Sequence, residues 1–375
     1  MQFDESGKLK FELQHTMRYG YTALMPSHIT HLLFAEDCCS EAGLRVLVEP
    51  AGRPYLALGA QGPDIFYHNQ RRKPSGLTYG SLMHRHGYGT TVSHMAAWAW
   101  TQGLPLESWA GAWVVGFSTH ATLDRSTHPY INYFSGWVER GDPHTERFRS
   151  MHPFLERLID VALLDSARGM HPNGLNFSKL SNCGESPPAA WLDMMTTALS
   201  AAYQVAKGDA ELRDRLTSAY LDTAGYYQFT NVVDEQYLRE GFGREKRGEI
   251  GARWLSIVHP LSVPDTVDVL NEGHATWTHP CNGKERYSDS FLDRYDLALG
   301  TAAAMIGEIA DTWKDHSRSA EDRRRRIENA VGNWNLSDGR NTERPCSKRH
   351  AAPLPLRELQ TQIRESVRNG GQGKV

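Results

Sequence analysis

Cysteine is scarce in this chain of 375 residues. There are five, an odd number, with Cys38 and Cys39 adjacent and no CxxC pair. Such usage suggests neither a disulfide framework nor a thiolate zinc finger. Long apolar runs are missing too. No stretch approaches the roughly 18 apolar residues of a membrane span. The first residues, MQFDESGKLKFELQHTMRYG, carry no apolar core of the kind a secretory leader needs. The expectation is a cytoplasmic protein without a transmembrane segment. Charge of one sign is also absent. The net charge is −3 with 17 histidines counted neutral, so no basic field favours nucleic acid, and none is expected as a partner. Alternating strand patterns and hairpin signals are few, and there is no internal repeat.

What is present is enough apolar side chain for a core, 40% of the chain, arranged with helical spacing. MPSHITHLLFAEDCC reads as a capped helix start, and LALGAQGPDIFYHNQRRKPSG, dense in Gly and Pro, as a loop. Helices are predicted near 80–102, at 106–124 (apolar at Trp109, Trp113, Val114, Phe117 and Leu123), at 152–164, 188–207, 209–225 and 291–315. Pro153 takes the favoured first turn of the 152–164 helix. Residues 226–290 mix Gly, Pro and charge and read as a loop-rich excursion. Beyond 316, DHSRSAEDRRRRIENA reads as a charged helix followed by a disordered tail. The expected fold is all-α: an N-terminal extension over 1–24, one helical domain over 25–315, and a tail over 316–375.

Histidine is the outlier in composition, and its placement carries the chemistry. In GFSTHATLDRSTHPYI, His120, Asp124 and His128 stand at i, i+4 and i+8. On a helix each step turns by about 40°, so the three point to one side. They follow the apolar run WAGAWVVGF, which places them at the edge of a core, where an unpaired charge is costly and a metal would satisfy it. The other reading is a solvent-facing helix end with Asp124 paired to a neighbour. Pro129 suggests that the helix frays near His128. HPFLER sets His152 and Glu156 one turn apart, GPDIFY holds Asp64 in a tight turn, SLMHRH offers His84 and His86, and SHITH offers His28 and His31. Together these supply N and O ligands without thiolate, the donor type of hydrolytic zinc sites. More ligands than one ion needs make a multinuclear site plausible, able to clamp an attacking water and a phosphate oxygen. Two further clusters have readings of their own. His274, His279 and Cys281 read as a metal set or as a structured loop with Trp277 covering apolar surface. The Arg323–Arg326 run reads as an anion site or as a solvated helix face.

THLLFAED, GAQGPDIFY, MH, GFSTHATLDRSTHPYI and HPFLER occur in the order seen in the zinc-dependent phospholipase C family, which includes the N-terminal domain of glycosylphosphatidylinositol-specific phospholipase D. The resemblance covers roughly residues 25–165, under half the chain. It implies an all-α bundle, two or three zinc ions, and hydrolysis of a phosphate ester, phospholipid included. It implies His31 as the N-terminal-region ligand and Asp64 as the carboxylate that orients or deprotonates the attacking water. His84 and His120 would ligate one zinc with Asp124 bridging, and His128, His152 and Glu156 would hold another. His144 competes with His152, which is preferred because Glu156 lies one turn away. Secreted members of the family open with a Trp that binds metal through its own amine and carbonyl. His31 lies well inside this chain, so either His28 substitutes for that ligand or the site holds two ions. Related zinc nucleases and phosphatases use a similar metal set. A reading from another class is a non-catalytic helical protein with a structural or degenerate metal site.

Overall fold

The computed structural model describes residues 27–139, 141–231, 234–250, 254–342 and 346–369. The expected extension over 1–24 lies outside them. Among the described residues the protein is all-α, with a single two-stranded sheet. In chain order the first helices are α1 (His28–Glu41), α2 (Arg53–Gly59), α3 (Leu77–Met83), α4 (Tyr88–Thr101), α5 (Trp109–Ser135) and α6 (Met151–Arg168). There follow α7 (Phe177–Leu180), α8 (Ala189–Ala202), α9 (Gln204–Lys207), α10 (Leu212–Thr230) and α11 (Glu235–Lys246). An antiparallel hairpin, β1 (Trp277–His279) and β2 (Asn282–Tyr287), precedes α12 (Phe291–Lys314), α13 (Ala320–Val331) and α14 (Leu356–Arg368).

The long helix α5 is the axis of the fold. Its first half, WAGAWVVGFSTHATLD, is apolar or small at nearly every position other than His120 and Asp124, and each residue from Ala110 to Asp124 is buried. A helix that is hydrophobic all round must be wrapped, and α1, α2, α4, α6 and α12 wrap it. Ser108 caps its start by accepting from the Gly111 amide. Glycines let α2 come unusually close. A Cβ on Gly59 would sit 2.7 Å from the Trp113 carbonyl oxygen, and one on Gly116 would run into the Leu56 carbonyl.

The structure corrects several expectations. The 56–76 stretch is not simply a loop, since α2 and a 3₁₀ turn over Gly62–Phe66 occupy much of it. Helix α5 does not fray at His128; it continues through Pro129 to Ser135. The ring removes one hydrogen bond, but Tyr130 and Phe134 pack on Trp277 of the hairpin, and Tyr130 also on Phe291. That packing outweighs the loss. The loop-rich excursion holds the end of α10, all of α11 and the hairpin. The disordered tail is not observed over the described residues. There α13 and α14 fold onto the body, with Leu356, Leu359, Ile363 and Val367 of α14 buried. Its charged residues hide that stripe from a composition reading. Finally, Cys281 and Cys346 form a disulfide across 65 positions, so the absence of a disulfide expected from cysteine usage is corrected. Hairpin and tail bring the two together, and no local spacing announces it.

Candidate metal centre

Five segments aim side chains at one buried point. Helix α5 supplies His120, Asp124 and His128 on successive turns, α1 supplies His31, and the first turns of α6 supply His152 and Glu156. The 3₁₀ turn supplies Asp64, and His84 follows the last turn of α3. The eight form three groups able to hold a metal ion: His31, His120 and Asp124; Asp64, His84 and His120; and His128, His152 and Glu156. Asp124 is central. Its Oδ1 lies 3.3 Å from His31 Nε2 and 3.7 Å from His128 Nε2, and its Oδ2 lies 3.1 Å from His120 Nε2 and 3.9 Å from His84 Nε2. Asp64 lies as near, with Oδ1 3.2 Å from His84 Nε2 and Oδ2 3.5 Å from His120 Nε2. Glu156 Oε1 is 3.0 Å from His152 Nε2 and 3.9 Å from His128 Nε2.

Backbone carbonyls fix the imidazoles from behind. Nδ1 of His84 meets Gly80 O at 2.8 Å, Nδ1 of His120 meets Ala60 O at 3.2 Å, and Nδ1 of His128 meets Leu336 O at 2.6 Å. A carbonyl only accepts, so the proton sits on Nδ1 and the Nε2 lone pair faces the centre. Inside, polar atoms are left over. His120 Nε2, both oxygens of Asp64, Asp124 Oδ2 and Glu156 Oε2 are buried without a hydrogen-bond partner. His120 Nε2 and Asp124 Oδ2 are close but not aligned for a hydrogen bond. Each such orphan costs about 1–3 kcal/mol, and a bound cation would satisfy them together.

The electrostatics agree. Burial pushes the Glu156 carboxyl well above its ordinary range, with His128 and Arg157 opposing only in part. Burial acts the same way on Asp124, but His120 and His128 outweigh it and hold that carboxyl well below. Against burial, Asp64 raises His84, while Asp124 and Asp64 raise His120. Burial lowers His128, and lowers His152 to about 3. Where no other cation is present, the neighbouring aspartates thus favour the protonated forms of His84 and His120 alone.

No protein-family model, curated protein or solved structure matches this chain. The likeness to zinc-dependent phospholipases C therefore rests on the order of motifs in the sequence.

The structure brings together all eight residues singled out from that order and separates their rivals. His144 is exposed in a 3₁₀ turn. His28 turns away from the centre, where its Nδ1 accepts from Arg157 Nη1 at 2.9 Å, so it does not replace the missing ligand. His28, Asp160 and His259 form a further buried group with metal-like composition. Asp160 has no capacity left for an ion, however. Its Oδ1 accepts from Ser27 Oγ and from Thr30 N and Oγ1, and its Oδ2 from Arg157 Nη1 and His259 Nε2. His274 is exposed with Nδ1 against Ser288 O, and His279 Nε2 is 3.0 Å from Asp338 O. Those two histidines belong to a structured hairpin, with Trp277 fully buried beneath it. The four arginines at 323–326 are engaged by Trp100, Glu321, Asp322 and Glu308. Sequence reasoning missed the Leu336 carbonyl behind His128, and a backbone atom leaves no residue-type signal.

Proposed function

We propose that the protein is a zinc-dependent hydrolase of phosphoric esters, phospholipase C/D-like in its metal set. One observation carries this reading. Eight N and O ligand side chains from five segments converge in one buried site, where His120 Nε2, both Asp64 oxygens, Asp124 Oδ2 and Glu156 Oε2 have no hydrogen-bond partner. Zinc bonds of about 2.0–2.2 Å in a tetrahedron set ligand atoms roughly 3.3–3.6 Å apart. The separations between 3.0 and 3.9 Å bracket that edge.

Bound zinc supplies Lewis acidity toward phosphoryl oxygens and acidifies water. Asp64 accepts the proton of the attacking water, and both its oxygens are free to do so. The Gly80, Ala60 and Leu336 carbonyls hold His84, His120 and His128 in the tautomer that leaves Nε2 open. Substrates of this class include phospholipids, nucleotides and other phosphodiesters.

Protein purified without added zinc is expected to carry two or three zinc ions per chain by elemental mass spectrometry. It should hydrolyse bis(4-nitrophenyl) phosphate. A His120→Ala variant loses both properties. Metal-free protein whose thermal stability ignores a chelator would overturn the proposal.

A closed structural metal site is the second reading, and burial favours it, since none of the eight residues is more than 5% exposed. Chelation would then lower the melting temperature with no hydrolysis to lose.

A further inference from the structure

A second cluster with metal-ligand chemistry lies where the hairpin meets the arm that follows α13. Cys281 sits in the turn between β1 and β2, and Asp338 and Cys346 come from the arm. A carboxylate oxygen of Asp338 lies within 4.8 Å of both sulfur atoms. The two cysteines are half-buried, so a solute reaches them from outside, while Asp338 is 0% exposed.

Among the described residues no cationic side chain pairs with the Asp338 carboxylate. Its Oδ1 accepts from the Arg340 amide at 3.0 Å and its Oδ2 from the Cys346 amide at 2.8 Å. The Arg340 guanidinium turns instead to Glu285 at 2.6 Å, and the Lys348 ammonium lies 3.2 Å from the centre of the Trp137 ring. A dry carboxylate without a counter-charge is costly. One amide apiece leaves each oxygen a further lone pair, beside two sulfurs. His279 adds no ligand, because Nε2 donates to the Asp338 carbonyl at 3.0 Å and Nδ1 accepts from the Cys281 amide at 3.2 Å.

We infer that Cys281, Cys346 and Asp338 form a second metal site, open only in the reduced protein, that takes zinc through two thiolates and one carboxylate. Zinc–sulfur bonds of about 2.3 Å set two thiolates roughly 3.8 Å apart in a tetrahedron. Cα atoms 5.7 Å apart allow that separation by side-chain rotation alone. A dithiol opens the site. It passes two electrons and two protons to the Cys281–Cys346 bond, giving two thiols, and leaves as a disulfide itself. Zinc then displaces both thiol protons, Asp338 supplies the third ligand, and water takes the fourth position. Disulfide and zinc exclude each other. Either one clamps the hairpin to the arm whose Leu336 carbonyl backs His128, so the arm keeps its place in oxidising and reducing surroundings alike.

The test is cobalt titration of the full chain, since thiolate bound to cobalt(II) gives a near-ultraviolet charge-transfer band that N and O ligands do not. The oxidised protein is first reduced with tris(2-carboxyethyl)phosphine, which gives two electrons to the disulfide and takes oxygen from water, and is then separated from it without air. The band is expected to saturate at one thiolate-bound cobalt per chain, to bleach when zinc is added, and to be missing from protein left oxidised. A Cys281→Ser, Cys346→Ser double variant loses it. Asp338→Asn keeps the thiolates but binds cobalt at least about tenfold more weakly. No band in the reduced protein overturns the inference. So does a band that survives in the double variant, which would belong to Cys38, Cys39 or Cys183, and so does unchanged affinity in Asp338→Asn. The eight-residue centre holds no sulfur, so each outcome is independent of the phosphoester reading.

Discussion

Asp160 shows how much a single buried side chain can hold. It joins the start of α1, the middle of α6 and the His259 segment. Arg157, 0% exposed, has Asp160 as its carboxylate partner. Asp160→Asn leaves that guanidinium without a counter-charge and is expected to cost about 3–5 kcal/mol, measured by urea denaturation. Burial would raise the Asp160 carboxyl, but the His259 hydrogen bond and the charges of His259 and Arg157 hold it far below its ordinary range. Its contribution is therefore complete above the unfolded value near 3.9 and is lost as pH falls below that. His68 acts at higher pH. Burial lowers it to about 3, neither ring nitrogen has a partner, and the ring stacks on Tyr226 at 4.1 Å. The unfolded chain takes up its proton near pH 6.5, so stability declines as pH drops from there toward 3. His68→Phe keeps the stacking and is expected to flatten that decline in a series of melting temperatures against pH. An unchanged slope would assign the acid sensitivity elsewhere. The sequence exposed the histidines themselves but not these partners, because positions 27–30, 157–160 and 259 meet only through folding.

At the scale of elements, the site was legible where one helix carries it. The turn of α5 aligns His120, Asp124 and His128 whatever surrounds them, and the His152–Glu156 pair follows the same rule on α6. What was not legible is the angle at which other elements arrive. Gly62 decides one such angle. Its φ is +52°, and a Cβ there would run into the His120 ring. Gly62→Ala is therefore strained in its backbone, by roughly 1–2 kcal/mol, and must also push His120 off the Ala60 carbonyl. The expected outcome is loss of at least one zinc ion per chain by elemental analysis, beyond the drop in melting temperature. An alanine variant with full metal content would show that His120 has room to move. Helix boundaries failed for a related reason. Pro129 carries a local rule against helix, and the burial of Tyr130, Ile131 and Phe134 carries a stronger tertiary one.

For the molecule as a whole, the decisive connection runs between α5 and the stretch that follows α13. The stretch after α13 lies across the part of α5 that carries His120, Asp124 and His128. Arg125 donates to the carbonyls of Val331, Gly332 and Trp334, Asn132 donates to Ser337 O, and Leu336 receives His128 and gives its amide to His84 O. Further on, the Cys281–Cys346 bond ties this arm to the hairpin that covers Tyr130. A crosslink spanning 65 positions restricts the unfolded chain by about 4 kcal/mol on loop-closure grounds. Reduction is therefore expected to lower the melting temperature by several degrees. It should also loosen the Leu336 carbonyl from His128, so zinc is lost sooner to a chelator. A Cys281→Ser, Cys346→Ser double variant should reproduce both effects and respond no further to dithiothreitol. If zinc release is the same with and without reductant, the arm holds its place by packing alone. The same pairing bears on where the protein works. Disulfides persist where thiols are not kept reduced. A count of free thiols in protein taken from its native source tells the compartments apart: three, at Cys38, Cys39 and Cys183, for an oxidising one, or five for a reducing one.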